Sequence, residues 1–376
     1  MRLGLDLLFM VPGETGGRET YSRELLRALR ETQPDLHVTA FLNRETAAAG
    51  PGWWSELPDR AVALPRVWAR KQASWALGET VVLTRAASAA RVQLLHSPAN
   101  FGPAAGRFAR VLTLHDLMYR LQPELVSKAV RVATDAVLVP AAKRAHRVIT
   151  ATEASREEIA AELGLDRDRI VVIPHGAHPP PRGTRDLAAA RARLEAGTRP
   201  IVLAVATNVE HKNHPALLAA LAELAPEERP LLVIAGHGTD ELAARAAELG
   251  VGGDARLLGA VSDAELEDLY AVATVYVTAT RHEGFGLPVI EAMGRGLPVA
   301  ASDIPVLREV AGDAGWWFAP EDPRSIATTL RSVLAGGAEV EDRRRRGLAA
   351  GRNYTWATTA ALTVEAYAAA LSAQTS

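Results

Sequence analysis

Short apolar runs that do not alternate recur through this chain in two series, with three consecutive prolines between them. The first series occupies residues 3–10, 37–42, 92–96, 111–115, 148–150 and 170–173; the second occupies 201–206, 231–235, 256–258, 275–278 and 298–300. Runs this short and this uniformly apolar fit strands covered on both faces, the condition of a parallel sheet. The stretches between them carry helical signals. Residues 21–29 place apolar side chains at helical spacing behind Thr20. Ser155 with Glu158, and Ser262 with Glu265, show capping-box spacing. Asp322-Pro323 puts proline in the first turn of a helix, and residues 355–371 read as a final alanine-rich helix. Pro179-Pro180-Pro181 cannot sustain helix or strand, so residues 178–183 read as a linker.

A chain of 376 residues fits two domains more naturally than one. The expected architecture is therefore α/β, with two Rossmann-like, doubly wound parallel-sheet domains facing across a cleft. The expected bounds are 1–180, 181–355 and a C-terminal helix over 356–376 that crosses back to the first domain. The linker and that helix would serve as hinges when the cleft closes.

Composition then narrows the chemistry. Basic and acidic residues number 42 and 44, a net charge of -2, which gives no global field for nucleic acid. The absence of cysteine removes disulfides, thiolate ligands and thiol nucleophiles, and it suits a reducing compartment. The N-terminal apolar run is broken by Asp6 and ended by Pro12, too short and too polar for a signal or membrane helix. The expected location is cytoplasmic. No His, Asp or Glu cluster has metal-ligand spacing, so neither a metal nor a cofactor is expected. Asp166-Arg167-Asp168 reads as turn chemistry, and Arg343–Arg346 as the solvated face of a helix.

The most informative segment is 278–293. A buried strand ends near Thr278, a loop with Gly284 and Gly286 follows, and Pro288 stands in the first turn of a helix. Free amides near Phe285, Gly286 and Leu287 at that helix start suit phosphate, and glycine admits a ligand close to the main chain. The carboxyl end of a strand is where open α/β sheets place their sites. Glu283 would stand beside the ligand and Glu291 about one turn into the helix. A structural account is also open: acidic side chains favour a helix N-terminus through its dipole.

Glu283 and Glu291 flank Gly-Phe-Gly-Leu-Pro-Val-Ile; Ala292-Met293, Gly296-Leu297-Pro298-Val299 and Glu309-Val310-Ala311-Gly312 follow. The whole resembles the paired-glutamate region of the retaining glycosyltransferases of family 4, which have the GT-B fold. The resemblance covers essentially the whole chain and is densest over 200–325. It implies that Glu291 binds the ribose hydroxyls of a nucleotide-sugar donor and that Glu283 approaches the donor sugar. The amides of Phe285–Leu287 would then hold phosphate.

His211-Lys212 resembles the family's basic pair, with histidine where arginine is expected. Lys212 would neutralise the diphosphate, and the second contact would fall to a pH-dependent His211 or to Asn208. Thr15-Gly16-Gly17 resembles the family's N-terminal glycine loop, which reaches the donor phosphates; an ordinary tight turn is the structural alternative. It is neither a Walker A sequence nor GxGxxG. His115, followed by Asp116, resembles the histidine that contacts the donor sugar. Gly236-His237-Gly238 resembles the loop bordering the nucleotide base. His96 has two open readings, a residue lining the acceptor and a hydrogen-bonded loop histidine. The stretch 53–91 mixes Trp53, Trp54, Trp68 and Trp75 with Arg66, Arg70 and Lys71. Acceptor recognition, peripheral contact with the inner face of a membrane and ordinary helix packing all remain open for it.

The resemblance thus implies a metal-independent, retaining hexosyltransferase. It would move a sugar from a UDP- or GDP-sugar to a hydroxyl of a glycan, lipid or small-molecule acceptor. Two rivals stand beside it. A sugar-nucleotide epimerase of the same architecture would need an acid/base pair, for which only Glu283 and His115 offer themselves. A non-catalytic binding module would hold the donor without turnover.

Overall fold

Thirteen strands form two wholly parallel sheets in the computed structural model, which describes residues 1–123, 126–181 and 185–375. Two units divide the chain: Met1–Gly176 together with Thr355–Ser376, and Ala177–Tyr354. Arg182 and Gly183, the end of the expected linker, lie outside the described residues.

In the first unit the strands are β1 (Arg2–Leu7), β2 (His37–Leu42), β3 (Arg60–Ala63), β4 (Leu94–Ser97), β5 (Ala109–Thr113), β6 (Arg147–Thr150) and β7 (Ile170–Val172), in the order β3-β2-β1-β4-β5-β6-β7. β3 has no counterpart among the apolar runs because it is an edge strand whose residues are largely exposed. The order reverses between β1 and β4, and that switch point is where a crevice opens at the carboxyl ends of the strands. The helix Gly17–Thr32 follows β1 and buries Tyr21, Leu25, Leu26, Ala28 and Leu29 on one face. Against it packs the last helix, Trp356–Thr375, with Trp356, Ala360, Thr363, Tyr367 and Ala370 turned inward at a spacing of three or four.

One expected cap differs. The helix Glu153–Leu163 is capped by Thr152, whose side chain accepts from the Ser155 amide, so Ser155 lies inside the first turn. Thr152 stands in extended backbone three residues before that amide, the geometry that lets a hydroxyl reach it. Glu158 is thereby released from a capping role.

In the second unit β8 (Ile201–Val205), β9 (Leu231–Ala235), β10 (Ala255–Leu257), β11 (Val275–Thr278), β12 (Val299–Ser302) and β13 (Gly315–Phe318) run in the order β10-β9-β8-β11-β12-β13. β13 was not anticipated, because Gly315-Trp316-Trp317-Phe318 is an edge strand with half-buried tryptophans rather than an aliphatic run. The Ser262–Glu265 capping box opens the helix Asp263–Val272, and Asp322 caps the helix Pro323–Leu334 with proline in its first turn. The switch point lies between β8 and β11. Arg343 to Arg346 sit on the helix Ala338–Gly351, each paired with an acidic side chain of that helix. No helix among the described residues is long and apolar enough to cross a membrane.

Candidate active site

In the second unit, the loops after β8 and β11 meet across the switch point. Arg281 donates its amide to the His211 carbonyl at 2.7 Å, and the Thr280 hydroxyl reaches the same oxygen at 3.1 Å. These bonds hold Lys212 beside Glu283, with Nζ 2.5 Å from Oε1. The two side chains are only 20% and 15% exposed, so their pairing is little screened by water. The lysine that the resemblance assigns to the diphosphate and the glutamate it assigns to the sugar thus form one ion pair.

The helix Leu287–Gly294 begins at Gly286, whose φ of 94° lies in the left-handed region. That backbone conformation favours glycine, and a Cβ there would also have to displace the Leu307 Cδ2 methyl, 2.8 Å away. Pro288, which has no amide to leave unpaired, follows in the first turn. Phe285 is buried and packs edge-on against Tyr354 at 5.7 Å, anchoring the loop that starts the helix.

Glu291 lies on that helix. The Tyr270 hydroxyl donates to its Oε2 at 2.9 Å. Burial raises the Glu291 carboxyl above the usual range, against the lowering effects of Tyr270 and Arg295. Arg295 in turn stacks 4.8 Å from the Tyr270 ring centre and pairs with Glu267. Sequence reasoning missed Tyr270, Glu267 and Arg295, which lie on the Asp263–Val272 helix and past the end of the glutamate helix; no spacing rule connects them to Glu291.

Asn208 and Gly236 close the far side of this edge. The Asn208 amide and side chain donate to the His237 and Gly238 carbonyls at 2.8 and 3.0 Å. Gly236 donates its own amide to the Gly259 carbonyl, and a Cβ on it would run into the Ala206 carbonyl oxygen. Its glycine is therefore needed for close passage of two loops. The His211 side chain is half-buried. No cluster among the described residues has the makeup of a metal site.

In the first unit, Gly16 caps the Gly17–Thr32 helix at the carboxyl end of β1, with open space around both glycines. His115 follows β5. Its Nε2 lies 2.8 Å from the Pro98 carbonyl oxygen, so that nitrogen carries the proton and Nδ1 is the acceptor. Burial pushes its pKa down to about 4, leaving the ring neutral at physiological pH. Asn100 fixes this loop by accepting from the His115 amide at 2.7 Å and donating to the Asp116 carbonyl at 3.3 Å.

His96 is a core residue. Its two ring nitrogens bond the Tyr367 and Thr113 hydroxyls at 2.7 and 2.8 Å, and burial pushes its pKa down to about 3. In the 53–91 stretch, Arg44 and Lys71 each lie 4.4 Å from the Trp68 ring centre, Arg70 pairs with Glu14, and the Trp75 indole donates to Glu79 at 3.0 Å. Most of its aromatic and basic groups are thus engaged within the unit.

Two family models match the chain: Glycosyltransferase Family 4 over residues 15–179 and Glycosyl transferases group 1 over 188–351. The O-antigen chain mannosyltransferase B of Escherichia coli is 31% identical over 264 residues, covering 68% of this chain and 69% of that protein. A longer relative from Escherichia coli, the serotype-specific mannosyltransferase WbdA, is 30% identical, and the match covers 62% of this chain but 30% of that protein. Among solved structures, Anabaena Alr3699/HepE in complex with UDP-glucose superposes with a TM-score of 0.76 at 19% identity, over 97% of this chain and 98% of that one.

Proposed function

The chain belongs to glycosyltransferase family 4, the glycosyl transferases group 1, and on that premise we propose that it is a retaining, metal-independent enzyme moving a sugar from a nucleotide sugar to an acceptor hydroxyl. The observation that supports this reading best is the Lys212–Glu283 ion pair at the switch point of the second unit. The pair stands at one strand edge beside a helix N-terminus, and the proposed reaction uses its lysine as the cation for the leaving group and its carboxylate for the sugar. The mannosyltransferase relatives and the UDP-glucose complex of the Anabaena protein point to UDP- and GDP-sugars as the first donors to test.

In the proposed reaction the bond from the anomeric carbon to the diphosphate breaks, and its electron pair stays on the phosphate oxygen. Lys212, the first amides of the Leu287–Gly294 helix and its dipole meet the charge as it grows. A diphosphate brings more negative charge than one carboxylate, so it draws Lys212 from Glu283 and frees that carboxylate to face the sugar. Glu291, backed by Tyr270, accepts from the ribose hydroxyls. The acceptor hydroxyl attacks from the face the diphosphate leaves, its proton passes to a phosphate oxygen, and configuration is retained.

Thermal shift with UDP-, GDP-, ADP- and dTDP-sugars tests the reading. One nucleotide should raise the melting temperature of the wild type and lose most of that effect in Glu291→Gln. Absence of stabilisation by all four would refute it.

A further inference from the structure

The amino ends of β1, β4 and β5 lie side by side, at the edge of the first sheet away from its crevice. Leu3 pairs with Leu94 and Leu94 with Ala109, so the residues just before them, Arg2, Gln93 and Phe108, stand in a row. The Gln93 amide donates to the Arg2 carbonyl at 2.8 Å, and the Ala109 amide to the Gln93 carbonyl at 2.9 Å. A cavity of about 540 Å³ opens there, within the ordinary range for small-molecule sites. Arg2, Arg91 and Arg107 line it, above Val92, Phe108 and, from the last helix, Leu371. Among the described residues, no acidic side chain lines it.

Three guanidiniums at one cavity do not follow from a basic chain, since the net charge is -2. The end of the helix Leu83–Ala89 accounts for part of one: Arg2 Nε donates to the Arg91 carbonyl at 2.8 Å, the usual work of a cation at a helix carboxyl end. Its two terminal nitrogens remain. The side chains of Arg91 and Arg107 make no hydrogen bond or ion pair among the described residues. Arg91 has a φ of 55° and gives its amide to the Ser88 carbonyl at 3.0 Å, so it fills the left-handed position where a helix ordinarily ends on glycine. A side chain there carries a conformational cost that glycine avoids, and what it adds is a guanidinium at the cavity.

A guanidinium fork meets phosphate oxygens two at a time. Three forks with no carboxylate among them suit an anion carrying more charge than a single phosphate. A membrane surface would call for exposed apolar side chains around the arginines. The large exposed ones of this unit, Leu77, Val81, Leu121 and Val132, do not line the cavity. We propose that this cavity binds a small organic molecule with two phosphate groups, held by Arg2, Arg91 and Arg107 above Val92 and Leu371. The site shares no residue with the donor site proposed above and does not depend on the glycosyltransferase reading.

The test is calorimetry on the full chain with fructose 1,6-bisphosphate, 2,3-bisphosphoglycerate and inorganic phosphate, at low and at physiological salt. Vesicles of phosphatidylglycerol form a separate arm. Arg91→Asn, Arg107→Gln and Lys212→Ala are compared with the wild type. Both arginines are exposed and asparagine tolerates the left-handed backbone, so the two arginine variants should keep the wild-type melting temperature. The expected result is that at least one bisphosphate binds at one site per chain, more tightly than inorganic phosphate and more weakly as salt rises. Each arginine variant should weaken it roughly tenfold or more, and Lys212→Ala should leave it unchanged. Arg107→Lys, which keeps charge but not the fork, should restore only part of the loss. Five results would each overturn the proposal: no binding of either bisphosphate, bisphosphate affinity indifferent to both arginine variants, bisphosphate binding lost in Lys212→Ala, inorganic phosphate bound as tightly as the bisphosphate, or arginine-dependent binding of the vesicles alone.

Discussion

Lys212 Nζ lies 2.5 Å from Glu283 Oε1, joining the loop after β8 to the loop after β11. The pair occupies the point where the strand order of the second sheet reverses, so two residues 71 apart in sequence work at one edge. Its partners trade places during the proposed reaction: the diphosphate takes the lysine and the sugar takes the glutamate.

Lys212→Ala should therefore lower turnover more than it weakens donor affinity. A preorganised charge matters most as the leaving group develops its own, and losing one such group typically slows the reaction about a hundredfold to a thousandfold. Saturation kinetics on a common donor and acceptor check this. Recovery of wild-type turnover at high donor concentration would show that Lys212 serves binding alone.

Glu291→Gln should weaken the free nucleoside diphosphate as well as the donor, by about 1.5–3 kcal/mol for a charge-assisted hydrogen bond. Because burial raises the Glu291 carboxyl, wild-type affinity should begin to fall on acidification at a higher pH than an ordinary glutamate would allow. The variant should lack that dependence on this carboxyl. Calorimetry across pH measures both, and equal affinities for wild type and variant would remove Glu291 from the site.

The two-sheet architecture and the elements flanking the second unit's site were legible because they rest on local rules. Buried parallel strands must be apolar on both faces, and a glycine loop running into a proline-started helix is a local pattern. The partners of the site were not legible. Tyr270 reaches Glu291, Thr280 reaches the His211 carbonyl, and Asn100 straps His115 only because the sheets bring distant loops together. His96 shows the converse: its place at a strand end fits a ligand contact, but Tyr367 from the last helix and Thr113 from the neighbouring strand occupy both ring nitrogens. β3 and β13 escaped notice because edge strands need no apolar run.

Glu158→Gln should flatten part of the pH dependence of stability. The folded protein holds the Glu158 proton up to about pH 7, whereas an ordinary glutamate releases it near 4.5. Between those values the folded state binds more protons, so stability falls as pH rises through that window and levels off above it. Allowing for partial exposure, the wild type should lose about 1–2 kcal/mol more than the variant between pH 4.5 and 7.5. Urea unfolding at the two pH values gives the difference, and equal slopes would place the Glu158 carboxyl in the ordinary range.

As proposed, this chain transfers sugar with retention and without a metal, using Lys212, Glu283 and Glu291 on the donor. Proton NMR of the wild type with GDP-mannose and then UDP-glucose, in EDTA and with methyl α-mannopyranoside as the acceptor, tests this most directly. A new anomeric signal with the donor's own configuration should appear, and Lys212→Ala should suppress it. A product of inverted configuration, or transfer that starts only when magnesium or manganese replaces the chelator, would contradict it.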